Sequence, residues 1–137
     1  MKKRELRVGM SAAFCREVTI GDIHQMAEIS GDYNPIHINE DYAKATPFGG
    51  VIAHGLFGVG MISALLGNVL PGDGTIILSE EIRFRKPIYA GDHITASVVI
   101  SEIAYERKRV SLTAICTNQR GETVLEGSVL TKYPPLQ

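Results

Sequence analysis

Neither sign of charge is in surplus: 14 Lys and Arg stand against 15 Asp and Glu, a net of -1. With no positive excess to neutralise a phosphate backbone, nucleic acid is not an expected partner. A small anionic ligand stays compatible, because a local basic cluster is enough to hold one. Cysteine is scarce, with only Cys15 and Cys116. They lie far apart in segments that read as strands, and there is no CxxC or Cys/His cluster. A disulfide framework is therefore not expected, and both thiols are expected to be small buried hydrophobes. His24, His37, His54 and His93 show no HxxxH or HExxH spacing, so no metal is expected. Long apolar runs are missing too. The longest, residues 55–70, falls short of the roughly 20 residues a membrane helix needs. The opening Met1-Lys2-Lys3-Arg4 has the charge of an export signal, but Glu5-Leu6-Arg7-Val8-Gly9 supplies no apolar core after it. A cytoplasmic protein without a membrane partner is the expectation.

A chain of 137 residues, 45% of them hydrophobic, can build one core and one domain spanning 1–137. Val8, Met10, Ala12 and Phe14 alternate as a first strand. Thr19 is placed to cap a helix whose apolar stripe includes Ile20, Ile23 and Ala27. Residues 30–38 read as a loop. A short helix follows from Asn39, its first-turn Glu40 and Asp41 favoured by the helix dipole. Pro47, Gly49 and Gly50 then break the chain. Residues 54–70 form a helix apolar around nearly its whole circumference, which predicts protein on every side of it.

Four strands come after Pro71-Gly72-Asp73-Gly74. Ile76, Leu78, Ile82 and Phe84 are expected to share one face, as are Ile94, Ala96, Val98 and Ile100. Val110, Leu112, Ala114 and Cys116 share another, and Val124 to Thr131 closes the run. Ala90-Gly91-Asp92 and the segment from Asn118 to Gly121 are turn chemistry. An antiparallel sheet and a helix apolar all round have one economical solution, in which the sheet wraps the helix. The predicted fold is α+β, a single hot-dog domain.

The chemistry concentrates in Ser30-Gly31-Asp32-Tyr33-Asn34-Pro35-Ile36-His37. Pro35 forces a bent path that can bring the Asp32 carboxylate and the His37 imidazole within one water of each other. Such a pair suits addition of water to an activated alkene, because one group takes a proton from water while another proton reaches the α-carbon. The plainer alternative is a turn in which Asp32 bonds only its own backbone. Ala53-His54-Gly55 enters the apolar helix, so the Gly55 amide lies at a helix start without an intrahelical acceptor. There it can stabilise a developing oxyanion, or be an ordinary helix start. Ser63 can line a pocket or bond back along the helix. His54 is expected to pack or bond beneath the loop, His24 to lie on a surface helix and His93 in a turn. Gly58-Val59-Gly60-Met61-Ile62-Ser63 echoes a dinucleotide fingerprint but sits inside a helix, without a βαβ setting.

The loop from Ser30 to His37, with Ala43 beyond it, resembles the hydratase-2 motif of the MaoC-like, R-specific enoyl-CoA hydratases. Val51-Ile52-Ala53-His54-Gly55 resembles that family's second block. The likeness continues through Leu70-Pro71-Gly72, Phe84-Arg85-Lys86-Pro87 and Ala90-Gly91-Asp92, and is nearest to the small members that serve polyhydroxyalkanoate synthesis. It implies Asp32 and His37 as the catalytic pair, Gly55 as the oxyanion amide, Asn34 steadying the loop and Ser63 beside the site. It also implies a homodimer, an acyl-CoA or acyl carrier protein thioester as substrate, an R product and no cofactor beyond the coenzyme A of the substrate. Tyr33, Leu56, Phe57, Met61 and Phe84 are candidate walls for the acyl chain. Arg83, Arg85 and Lys86 are candidate contacts for coenzyme A phosphates, or a solvated sheet face; Arg107, Lys108 and Arg109 read as hairpin surface. A 3-hydroxyacyl-[acyl carrier protein] dehydratase, a thioesterase and a non-catalytic thioester-binding module are the alternatives. Residues 55–70 carry no Asp or Glu, which weighs against the thioesterase, since fold alone does not decide function.

Overall fold

Strict alternation builds the centre of the sheet. In β3 (His93–Ala104), Ile94, Ala96, Val98 and Ile100 are buried, and in β4 (Arg109–Thr117) so are Val110, Leu112, Ala114 and Cys116. Side chains two apart share a face, so these two strands lay a continuous apolar floor. The computed structural model describes residues 5–134, and the opening Met1-Lys2-Lys3-Arg4 lies outside them. The other elements are β1 (Ser11–Glu17), α1 (Ile20–Ser30), α2 (Pro35–Ile38), α3 (Glu40–Lys44), α4 (Gly55–Asn68), β2 (Ile76–Phe84) and β5 (Thr123–Lys132). All strand pairs are antiparallel, in the order β1-β3-β4-β5-β2. The apolar helix α4 packs on the sheet, Phe57, Met61, Ile62, Leu65 and Leu66 joining its buried face in one core. No helix among the described residues is long and apolar enough to cross a membrane.

The local signals for the helices hold in detail. Thr19 accepts from the Asp22 amide at 3.0 Å while the Asp22 carboxylate accepts from the Thr19 amide at 2.9 Å, a reciprocal cap that starts α1. Those bonds, the Thr19 backbone first, hold the Asp22 carboxyl below its ordinary range. Asn39 caps α3 by accepting from the Tyr42 amide. His24 is exposed on α1.

Several expectations need correcting. Val8 is exposed in a turn, and β1 begins only at Ser11. Ile20 is 51% exposed, because it opens α1 before the helix reaches the core. The segment read as an unbroken loop contains the turn of helix α2, which Pro35 starts as its fixed φ suits a first helical position. In β2, Leu78 is an extra residue between Ile77 and Ser79, so the face switches: Ile77 and Ile82 pack inward while Ile76 and Leu78 are exposed. His93 opens β3 rather than sitting in a turn. One stripe of α4, comprising Leu56, Gly60 and Ser63, is exposed, so a single chain does not surround that helix.

Both cysteines are free, but only Cys116 is buried; Cys15 lies on the outward face of β1. Cys116 points its thiol at the Gly58 carbonyl, 3.8 Å away on α4, and burial pushes it up to about 12 from 9.0. A native-state alkylation series should therefore label Cys15 readily and Cys116 only after unfolding. The raised value also sets a pH trend. The unfolded thiol ionises above 9.0 while the folded one does not, so this burial costs stability as pH climbs from there toward 12. Equal labelling of both thiols in the folded protein would contradict the packing.

Candidate active site

The loop after α1 is folded by its own short polar side chains. Gly31 turns the chain out of the helix at φ 79°, a conformation that favours glycine. Ser30 Oγ donates back to the Met26 carbonyl at 2.6 Å and accepts from the Asp32 amide at 3.1 Å. Asp32 Oδ1 accepts from the Asn34 amide at 3.1 Å, and Asn34 Oδ1 accepts from the Ile36 amide at 3.3 Å, capping α2. The helical turn then sends the His37 ring inward. Asp32 keeps a half-exposed side chain at the rim, while His37 is buried beneath it.

One bond sets the state of His37. Its Nδ1 lies 2.7 Å from the Ile52 carbonyl oxygen, and a carbonyl can only accept, so Nδ1 carries the proton. In the neutral tautomer that this bond selects, Nε2 carries the lone pair and lies 4.0 Å from Asp32 Oδ2. That gap is too long for a direct hydrogen bond and close to what one water spans. Asp32 thus uses one carboxylate oxygen to shape its turn and turns the other toward His37. The turn reading and the acid–base reading turn out to be compatible.

His54 joins this loop to α4. It occupies the N-cap position, yet its side chain makes no capping bond. Instead Nε2 donates to the Asp32 carbonyl oxygen at 2.9 Å, and the ring stacks on His37 with centroids 3.8 Å apart and 24° between planes. Nδ1 of His54 is buried and has no hydrogen-bond partner among the described residues. Because the cap is diverted, the Gly55 and Leu56 amides at the start of α4 have no acceptor among the described residues, while the Phe57 amide donates to the His54 carbonyl at 2.9 Å. The Phe84 ring lies directly over Gly55: a Cβ there would come 2.7 Å from Phe84 Cε1. A cleft of about 470 Å³ opens beside them, its wall including His37, Ile52, Gly55, Leu56, Phe84 and Lys86 together with Ile88 and Leu125. Its lining is mostly apolar with few polar groups, as small-molecule sites are.

Residues 7–119 match the family model described as the MaoC like domain. The chain belongs to the MaoC-like family. The 3-hydroxybutyryl-CoA dehydratase of Methylorubrum extorquens is 42% identical over 95% of this chain and 82% of its own length. The (R)-specific enoyl-CoA hydratase of Rhodospirillum rubrum is 38% identical, over 95% and 90% of the two chains. Among solved structures, the (R)-hydratase from A. caviae involved in PHA biosynthesis superposes with a TM-score of 0.92 at 30% identity, covering 96% of this chain and all of that one. The hot-dog architecture expected for a MaoC-like chain is the one observed.

The remaining candidates are divided by the fold. Leu56 and Phe84 line the cleft, whereas Phe57 and Met61 are core residues of α4 and Tyr33 is exposed on the loop outside the lining. Ser63 lies on the exposed stripe of α4, away from the cleft wall. Arg83 is exposed on β2. Arg85 Nε donates to Glu126 Oε2 at 3.0 Å, and Lys86 Nζ to Glu122 Oε2 at 2.6 Å. Arg107 and Lys108 lie on the β3–β4 turn, with Arg109 opening β4. Sequence reading missed Asn118, Arg120 and Glu122 as neighbours of the cleft, since only strand pairing brings that turn beside Lys86. Bonds from Lys86, Asn118 and Arg120 hold the Glu122 carboxyl down to about 2.

Proposed function

We propose that this MaoC-like chain is an (R)-specific enoyl-CoA hydratase, adding water reversibly across the double bond of a trans-2-enoyl-CoA to give an (R)-3-hydroxyacyl-CoA. The observation that carries this is the pairing of His37 Nε2 with Asp32 Oδ2, 4.0 Å apart, at an apolar cleft lined by His37 and by Gly55 at the start of α4. A water between the two groups gives up a proton as its oxygen bonds to C3. The C2–C3 electron pair moves toward the thioester, whose oxygen becomes negative beside the Gly55 N–H and the positive end of α4. A proton from the pair then reaches C2, so atoms and charge balance. The names and identities of the relatives support the same reading.

No metal enters this reading. Asp32, His37 and His54 offer ligand atoms within 4.8 Å of one another. Two imidazoles stacked face to face at 3.8 Å, however, cannot both aim an in-plane lone pair at one ion. The reading includes a homodimer, supported by two unpaired features of the single chain. The α4 stripe of Leu56, Gly60 and Ser63 is exposed, and the edge strand β2 leaves Ile76, Leu78 and Phe84 exposed.

The deciding assay follows the enoyl absorbance of crotonyl-CoA, with chiral analysis of the product. Loss of absorbance with formation of (R)-3-hydroxybutyryl-CoA and no free thiol is the expected result. Release of free thiol would instead mark a thioesterase. No reaction with short, long or carrier-linked enoyl thioesters would mark a binding module.

A further inference from the structure

Lys86 is delivered to the cleft wall by an irregularity in the sheet. Val124 is an extra residue in β5, and its carbonyl accepts both the Arg85 amide at 2.8 Å and the Lys86 amide at 3.2 Å. The Lys86 side chain reaches Glu122, whose other oxygen accepts from Arg120 Nε and Asn118 Nδ2, each at 2.9 Å. Two cations therefore share the Glu122 carboxylate, Lys86 from the cleft wall and Arg120 from the neighbouring turn, where the Asp92 carboxylate also acts on Arg120. Arg85 differs, being matched one to one by Glu126.

The turn that carries Arg120 and Glu122 is anchored on the buried Asn118. Asn118 is 6% exposed, and its Oδ1 accepts from the Arg120 and Glu122 amides. Gln119 accepts from the His93 amide and donates to Asp92, itself 6% exposed. So firm a mounting is out of proportion to what half-exposed ion pairs add to stability. It suits instead a group whose direction matters.

We propose that Lys86 and Arg120, spaced by Glu122, form a phosphate subsite for the arm that carries the thioester, with phosphate oxygens replacing the Glu122 carboxylate on the two cations. This rests on the hydratase reading above, and of the Arg83, Arg85 and Lys86 candidates it keeps Lys86 and replaces the two arginines with Arg120 of the β4–β5 turn. Arg120 presents a planar fork suited to two phosphate oxygens, and Lys86 a point charge beside it. Glu122 has the opposite effect, repelling the incoming phosphate and keeping affinity moderate.

The test compares three crotonyl thioesters: of pantetheine, which has no phosphate; of 4′-phosphopantetheine, which has one; and of coenzyme A. Lys86→Met and Arg120→Met should each lower the kcat/KM ratio of crotonyl-CoA over crotonyl-pantetheine about tenfold, the scale of one charge-assisted hydrogen bond. Glu122→Gln, which keeps the carbonyl acceptor but removes the charge, should raise that ratio severalfold. If the effect is already present with 4′-phosphopantetheine, the contact is to the phosphate that a carrier protein also bears. If it appears only with coenzyme A, the contact is to the nucleotide phosphates. Equal loss on all three thioesters, or a Glu122→Gln ratio moving downward, overturns the subsite. Calorimetric binding of coenzyme A to the same variants separates the two claims, because a Kd that shifts without any turnover would remove the hydratase reading and leave the subsite standing.

Discussion

Asp32→Asn should reduce crotonyl-CoA hydration by about 10²- to 10⁴-fold, the usual span for loss of a general acid or base. It should do so without unfolding the loop. The Asn oxygen can still accept from the Asn34 amide, the Asp32 main chain still receives His54 Nε2, and only the anionic oxygen facing His37 is lost. His37→Ala should lose at least as much, but part of its effect is structural. It leaves the Ile52 carbonyl without its ring partner and takes away the surface on which His54 stacks. Steady-state kinetics together with circular dichroism and a thermal midpoint read both effects. If the pair acts as one unit, the double variant falls little further than the worse single variant. A fully active Asp32→Asn enzyme would end the acid–base assignment.

Gly127→Ala is expected to be the most damaging small substitution for the fold. Gly127 lies in β5 opposite Ile82 of β2, and a Cβ there would run into the Glu81 carbonyl oxygen with Ile82 Cα 2.9 Å away. The obstacle is backbone on a neighbouring strand, so rotating a side chain cannot relieve it. Either the β2–β5 ladder opens or β5 twists out of register. A cost of about 3–5 kcal/mol follows from overpacking plus lost ladder bonds, against a typical total of roughly 5–15. Urea denaturation should show a sharply lower midpoint, or the variant should be insoluble. A wild-type midpoint would mean the two strands have room to part. Because β2 ends in Phe84, what survives should also bind substrate poorly.

The contrast between these two sites explains what the sequence made legible. Asp32, Asn34 and Pro35 shape the loop through near neighbours, so its bend was readable from local spacing. The roles of Asn34 and His37 came with the family resemblance, and the Ile52 carbonyl that orients His37 lies fifteen residues away. The cores of β3 and β4 were as readable, since burial there follows strict alternation. Leu78 was not, because a bulge is decided by the partner strand, and one extra residue inverts the face of everything before it. Residue type alone predicts a buried Cys15, whereas its place on the outer face of an edge strand exposes it. The sharing of Glu122 by Lys86 and Arg120 depends on the register between a strand end and a distant turn. No local pattern encodes such a meeting.

The strand order has a temporal consequence. β3, β4 and β5 form a meander of neighbouring hairpins, whereas pairing of β1 with β3 closes a loop of roughly eighty residues. That loop contains every helix and the whole Asp32–His37–Gly55 assembly. Contacts closed over short separations form early and distant ones late, so the meander should act as a template onto which the working parts are laid last. In pulse-labelled hydrogen exchange, amides of β4 should gain protection before those around His37. Enzymatic competence should then return only with the final phase of refolding.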